Sequence, residues 1–362
     1  MKTLHIDLFE GWRGGQSQAL LLLKGLSAAG EIAELVAPSG SPLAERARAA
    51  GITVHEVRGP AIRVRASIKV ARLLRQKAFD VVHCHDAHAL TAAWLAGAHE
   101  RARLIAARRV SYKLTGNRLA RMRYQSASRI IAVSQFVKNA LIASRIASDK
   151  IDVIYDGVEL PQAARAVERA ETRRRFGLDG PDDLRVVGCA GYLVANKGQD
   201  VLIQAMPHIL KKHARCVLLL AGDGPCRPAL EQLAASLGVS GAVRFTGTLD
   251  SLTPFYGALD VYLNATQHEG LGTALLSAMA HGLAVVTTAN DAVPEIIEGG
   301  VNGLLVPDRD PVKIAAATVR LLQDRQLSDG LSSAARKTIE QGFSAERMVQ
   351  STRNLYRRLS AP

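Results

Sequence analysis

The chain has 362 residues, 48% apolar and 22% charged, which is ordinary for a folded globular protein; the length exceeds the commonest single core, so two domains are the default expectation. Aromatic residues make up only 4%, and helix-turn-helix, zinc-finger and aromatic-sheet signatures are missing, so nucleic acid is not an expected partner. The net charge of +13 is unevenly placed: residues 1–160 hold 24 basic against 13 acidic side chains and residues 161–362 hold 22 against 20, so the first half should meet something anionic.

No apolar run approaches the roughly 18 residues needed to span a bilayer, and the start lacks a basic-then-apolar signal pattern. Cys84, Cys189, Cys216 and Cys226 are scattered without a C-x-x-C pair and read as reduced structural thiols. A cytoplasmic protein is expected.

In chain order, residues 3–9 predict a strand, followed by a loop with Gly11, Gly14 and Gly15 and an apolar helix from about 18 to 29. The adjacent glycines let a ligand approach the main chain, although the full G-x-G-x-x-G fingerprint is missing. Strand-like runs follow at 33–37, 52–57, 81–85, 104–107, 130–133 and 151–155, mostly separated by helical stretches. The charged stretch from about 160 to 185 predicts a linker. A second alternation then places strands at 186–190, 217–221, 243–246, 261–264 and 284–287, and helices at 201–213, 228–237 and 273–280. Parallel neighbours need long return connections, so the pattern predicts α/β architecture. Two Rossmann-like, doubly wound domains, residues 1–165 and 180–344, would face each other across a cleft. A last helical stretch, within 345–362, could pack on either, including back on the first.

Several motifs fall at predicted strand ends. Gly188-Cys-Ala-Gly191-Tyr192-Leu-Val-Ala-Asn-Lys197-Gly198 sets a lysine at the far end of a glycine turn. Lys197 reads either as a diphosphate ligand or as a solvated surface lysine; the Walker spacing is absent. Gly222-Asp223-Gly224-Pro225 could close on a nucleotide, but a tight turn with a helix cap is the commoner use of these residues. His83, His85 and His88 with Asp86 end a strand; they could bind a metal, hydrogen-bond a sugar or serve structure, and no metal site is assigned. Arg58, Arg63, Arg65, Lys69, Arg72, Arg75 and Lys77 interleave with Ile62, Val64, Ile68, Val70, Leu73 and Leu74. This basic amphipathic helix packs its stripe on its own sheet or lies on an anionic bilayer.

The most informative segment is 268–282, His-Glu-Gly-Leu-Gly-Thr-Ala-Leu-Leu-Ser-Ala-Met-Ala-His-Gly. An acid and two glycines stand between a strand and an apolar helix, where a parallel sheet binds ligands and where freed N–H groups suit a phosphate or a sugar hydroxyl.

Together these blocks resemble the family four glycosyltransferases of GT-B fold, which include bacterial lipopolysaccharide and glycolipid sugar transferases. The resemblance runs in order through the Gly14-Gly15 loop, DVVHCHDAHA, IIAVSQFVKNAL, KIDVIYDGVEL, GYLVANKG, LLLAGDGP, VRFTG and HEGLGTALLSAMAHGLAVV. It implies a retaining, metal-independent transfer from a UDP-, GDP- or ADP-linked sugar, with no further cofactor, to an anionic acceptor, lipid-linked or free, in cell-envelope glycan assembly. Separately, the basic first half offers a surface for peripheral association with the cytoplasmic face of the inner membrane. By the same resemblance, Glu269 grips donor-sugar hydroxyls in a binding segment with Gly270, beside the main-chain N–H groups of Leu271 and Gly272. Lys197 meets the diphosphate with the helix beginning at Thr273, aided by the Gly191 turn and the Gly15 loop. His85 reaches the sugar, and the base lies near Leu249. Two departures stand out: Ser277 occupies the place of a second acid that holds the ribose, and Tyr192 that of an arginine beside the lysine. A protein that has lost catalysis, or a nucleotide-sugar epimerase, are the alternatives.

Overall fold

The structure is a computed structural model that describes residues 1–112, 114, 118–161, 166–178 and 183–360. The chain divides into two compact units, Met1–Gly157 with Ala345–Pro362, and Val158–Ser344.

In the first unit strands and helices alternate as β1 (Lys2–Ile6), α1 (Gly14–Ala28), β2 (Ile32–Pro38), α2 (Pro42–Ala49), β3 (Thr53–Val57), α3 (Ile62–Gln76), β4 (Val81–Cys84), α4 (Ala87–Leu95), α5 (Ala98–Arg101), β5 (Arg103–Arg108), α6 (Arg118–Ser126), β6 (Arg129–Ala132), α7 (Gln135–Ala143) and β7 (Ile151–Val153). The strands form one seven-stranded parallel sheet in the order β3-β2-β1-β4-β5-β6-β7. Leu4, Ile6, Val81, Val82, Leu104 and Ile105 are buried because helices cover both faces, which is why the inner strands read as apolar runs.

The second unit follows with α8 (Ala166–Arg175), β8 (Arg185–Ala190), α9 (Gln199–Leu210), β9 (Cys216–Ala221), α10 (Arg227–Ser236), β10 (Val243–Gly247), α11 (Thr253–Ala258), β11 (Val261–Asn264), α12 (Thr273–Ala280), β12 (Ala284–Thr288), β13 (Leu304–Val306), α13 (Pro311–Gln323) and α14 (Arg325–Gly342). Its six strands are also all parallel, in the order β10-β9-β8-β11-β12-β13. The last helix, α15 (Ala345–Ser360), belongs to the first unit: Val349 packs against Gly25 of α1 and Arg358 pairs with Asp152.

Two local differences from the sequence reading have clear causes. The glycine pair opens α1 instead of lying in a loop before it, since Ser17 N–H already bonds the Arg13 carbonyl and the first turn closes there. The stretch expected as a linker carries α8, pinned where Arg169 and Arg173 both pair with Asp260. The residues of that stretch at 162–165 and 179–182 lie outside the described residues.

The connectivity reverses once in each sheet, between β1 and β4 and between β8 and β11. Helices on the two sides of such a point leave the sheet on opposite faces and open a crevice at the strands' carboxyl ends. The loops there are β1–α1 and β4–α4 in the first unit, and β8–α9 and β11–α12 in the second.

Candidate active site

In the second unit the reversal brings the Lys197 loop against the Glu269 loop. Gly198 has φ +69°, and a Cβ there would collide with the Ala265 carbonyl; only glycine lets the two backbones approach this closely. Gln267 N–H then bonds the Asn196 carbonyl at 2.9 Å. Across this join Lys197 Nζ donates to Glu269 Oε2, with the two side chains 26% and 22% exposed. Both are therefore held in place yet reachable from solvent.

Glu269 is fixed from behind as well. Its main-chain N–H donates to Asp291 Oδ2 at 3.0 Å, and His268 Nδ1 lies 3.4 Å from the same oxygen. Gly270 and buried Leu271 lead to Gly272, which caps α12 at φ +99° without a side-chain cap, so Thr273 opens the helix. The first-turn N–H groups of such a helix have no intrahelical acceptor and favour an anion or a hydroxyl oxygen.

The other residues singled out in this unit take differing places. Gly191 lies against Gly222, whose φ of +131° and contact with the Gly191 carbonyl leave no room for a side chain. Tyr192 is 43% exposed at the end of β8. Leu249 is half-buried in the loop after β10. Ser277 is half-buried on α12; the buried Tyr256 hydroxyl bonds its side chain and donates to the Ala274 carbonyl at 3.1 Å. Asp223 serves its own turn, accepting from Gly224 N–H at 2.7 Å and from Arg227 at 3.3 Å.

In the first unit the carboxyl edge of β1 and β4 holds a different chemistry. Asp86 caps α4, accepting from the N–H groups of His88 and Ala89 and also from that of Leu8. Asp7 is fully buried and accepts from Phe9 N–H and, with both oxygens, from Gln16. Burial, with Asp86 nearby, raises the Asp7 carboxyl to about 6. Gly14 and Gly15 follow directly, and Arg109, just beyond β5, stands beside Gly15.

His85 does not stand at the surface. It is 5% exposed, with Nε2 3.0 Å from His5 Nδ1 and with Nδ1 unpartnered among the described residues. His83 is equally buried and bonds the Tyr356 hydroxyl of α15 at 2.5 Å, while His88 is exposed. Burial depresses all three imidazoles of His5, His83 and His85, that of His5 to about 3, so the cluster is neutral. The ring nitrogens of His5, His83 and His85 lie within 4.8 Å of one another and are the one His, Cys, Asp or Glu group among the described residues with that geometry. Nothing in the sequence around His5 marks it as a member of this cluster. Its signal is the parallel register, which sets His5 beside His83.

Residues 12–162 match the description Glycosyltransferase Family 4, and residues 184–324 match Glycosyl transferases group 1. An uncharacterized glycosyltransferase of Methanocaldococcus jannaschii is 30% identical over 298 residues, 77% of this chain and 75% of that one. The chain belongs to the family 4 glycosyltransferases. The lipopolysaccharide core biosynthesis glycosyltransferase LpsE of Rhizobium meliloti is 36% identical over 50% of each chain. Among solved structures, Anabaena HepE in complex with UDP-glucose superposes with a TM-score of 0.87 over 99% of this chain and 100% of that one, at 21% identity. A Rickettsia africae glycosyltransferase gives 0.86 over 99% and 98%, at 20% identity. Both have the GT-B fold of two parallel-sheet α/β domains, as this glycosyltransferase does. No helix among the described residues is long and apolar enough to cross a membrane.

Proposed function

We propose that this glycosyltransferase moves a sugar from a nucleotide-sugar to an anionic, lipid-linked acceptor, with retention of configuration and without a metal ion. The observation that carries the donor assignment is the Lys197–Glu269 pair, about a quarter exposed at the β8/β11 reversal beside the open first turn of α12. The relatives that bear on it are LpsE, named for lipopolysaccharide core biosynthesis, and HepE, solved with UDP-glucose.

A bound donor would separate the pair. Lys197 would turn to the diphosphate and stabilise the charge that develops as the glycosidic bond breaks, together with the N–H groups at Thr273. Glu269, released, would accept hydrogen bonds from sugar hydroxyls. The leaving phosphate oxygen would take the acceptor's proton on the face from which it departs. The base would stack near Leu249, and Ser277 would offer the ribose a hydroxyl where relatives offer a carboxylate, giving a weaker bond.

The acceptor class rests on charge. On α3, Arg63, Arg65, Arg72 and Arg75 are exposed beside Val64 and Ile68, 53% and 58% exposed, while Ala66, Val70, Leu73 and Leu74 face inward. The helix thus serves its own sheet with one stripe and keeps apolar and basic groups for an anionic bilayer with the other. Leu119 and Met122 on α6, which shares α4 as a neighbour, extend this character.

Product analysis tests the reading. Incubating the protein with UDP-, GDP- and ADP-sugars and membrane lipid extract, with and without chelator, should give a new α-linked glycoside from an α-linked donor in both cases. An epimerised free nucleotide-sugar, an inverted product or chelator-abolished transfer would each contradict part of it.

A further inference from the structure

We propose that Arg109 is a second cationic ligand of this enzyme, holding a phosphate-class group of a substrate at the carboxyl edge of β1, β4 and β5. The inference rests on the transferase reading above and adds a residue to which that reading gives no role.

Arg109 follows β5, and its side chain is only 16% exposed. Its Nε donates to Asp156 Oδ1 at 3.1 Å, which fixes the plane of the guanidinium. Nη1 is buried and has no hydrogen-bond partner among the described residues. A guanidinium offers five donors and no acceptor, so an idle buried N–H is costly unless something else accepts from it.

The neighbouring strand end offers a second unsatisfied atom. β4 and β5 are paired, Cys84 beside Ala106, and His85 follows directly with its Nδ1 buried and unpartnered. Arg109 is near enough to depress the proton affinity of both His83 and His85. Two idle polar atoms from adjacent strand ends therefore share one corner of the sheet, at the reversal point of the connectivity.

Gly15 borders that corner: a Cβ there would stand 3.9 Å from Arg109 Cδ, in ordinary van der Waals contact. Gln16, held by both oxygens of Asp7, fixes the turn in this position. The nearby carboxylates Asp7 and Asp86 do not compete with the ligand for the guanidinium, because Asp7 is engaged by Phe9 and Gln16 and Asp86 by the main-chain N–H groups of Leu8, His88 and Ala89.

Chemistry selects the ligand. A planar guanidinium matches the spacing of phosphate oxygens, and the excess of basic over acidic residues in 1–160 draws anions to this unit. The phosphate could come from the donor diphosphate or from a phosphorylated acceptor.

Calorimetry on the full chain separates these cases, with inorganic pyrophosphate, inorganic phosphate and UDP, GDP and ADP as probes. Inorganic phosphate and pyrophosphate binding should survive in Lys197→Ala and weaken at least tenfold in Arg109→Gln. If nucleoside diphosphates weaken in Arg109→Gln as well, the source is the donor; if they do not, it is the acceptor. Unchanged inorganic phosphate affinity in Arg109→Gln, or no such binding by the unsubstituted protein, overturns the proposal. Should Arg109→Gln fail to fold, Arg109→Lys carries the same test, since it keeps the charge beside Asp156 and loses the planar fork. Nucleotide binding that depends on Lys197 is scored separately, so failure here leaves the donor site standing.

Discussion

Lys197 and Glu269, 72 residues apart in sequence, meet as an ion pair because Gly198 lets one loop lie directly on the other. The pair is partly solvated, so it adds about 0–1 kcal/mol to stability. Its position at the open start of α12 fits a pair held ready to exchange partners.

Gly198→Ala should therefore be far more damaging than its φ alone implies. Gly238 has the same φ of +69° with nothing near its missing side chain, so Gly238→Ala isolates the backbone strain, about 1 kcal/mol. Gly198→Ala adds the collision with the Ala265 carbonyl and should cost about 2–4 kcal/mol more. Denaturant melts of both variants check this; equal losses would mean that the loop relaxes freely.

The donor loop is legible in sequence because its chemistry is local. The segment 268–282 carries its own glycines and cap, and α12 begins and ends where the sequence predicts, at Thr273 and Ala280. Lys197 could not be told from a surface lysine, since its partner comes from a remote loop. His5, Asp7 and Arg109 escaped for a related reason: each looks unremarkable alone and gains meaning only from strand order and register. The helix α8 escaped because its Ala- and Arg-rich sequence has no apolar stripe; its anchor is the ion pairing of Arg169 and Arg173 with Asp260.

Ser277→Glu tests the missing ribose carboxylate. A charge-assisted hydrogen bond should tighten nucleoside diphosphate binding about tenfold, measured by calorimetry. No gain would mean that the ribose of this donor lies elsewhere.

The histidine cluster sets an acid limit on stability. The unfolded His5 takes up a proton below about pH 6.5 and the folded one only near 3, so its stabilisation is complete above 6.5 and is lost as pH falls toward 3. The loss is about 1.4 kcal/mol per pH unit for each such histidine. Asp7 acts in the opposite sense, losing stability as pH rises from 3.8 to about 6, and so offsets one histidine in that range. His5→Gln should flatten the pH dependence of the melting free energy between 6.5 and 4 by about one proton. An unchanged slope would mean that His5 is not kept neutral by the fold.

Membrane association should appear as binding to anionic vesicles that weakens as salt rises. Ile68→Asp, at an exposed position of α3, should reduce binding several-fold while leaving the melting temperature unchanged. Absence of binding at low salt would reject the bilayer as a partner.

The most direct measurement is sugar transfer by Lys197→Ala and Glu269→Gln with the donor the enzyme uses. Both variants should keep the fold and its melting temperature within about a degree, because the pair is only partly buried. Both should lose at least a hundredfold in kcat/KM, about 2.7 kcal/mol of transition-state stabilisation. Folded variants that turn over at the unsubstituted rate would contradict the assignment of this pair as the donor site.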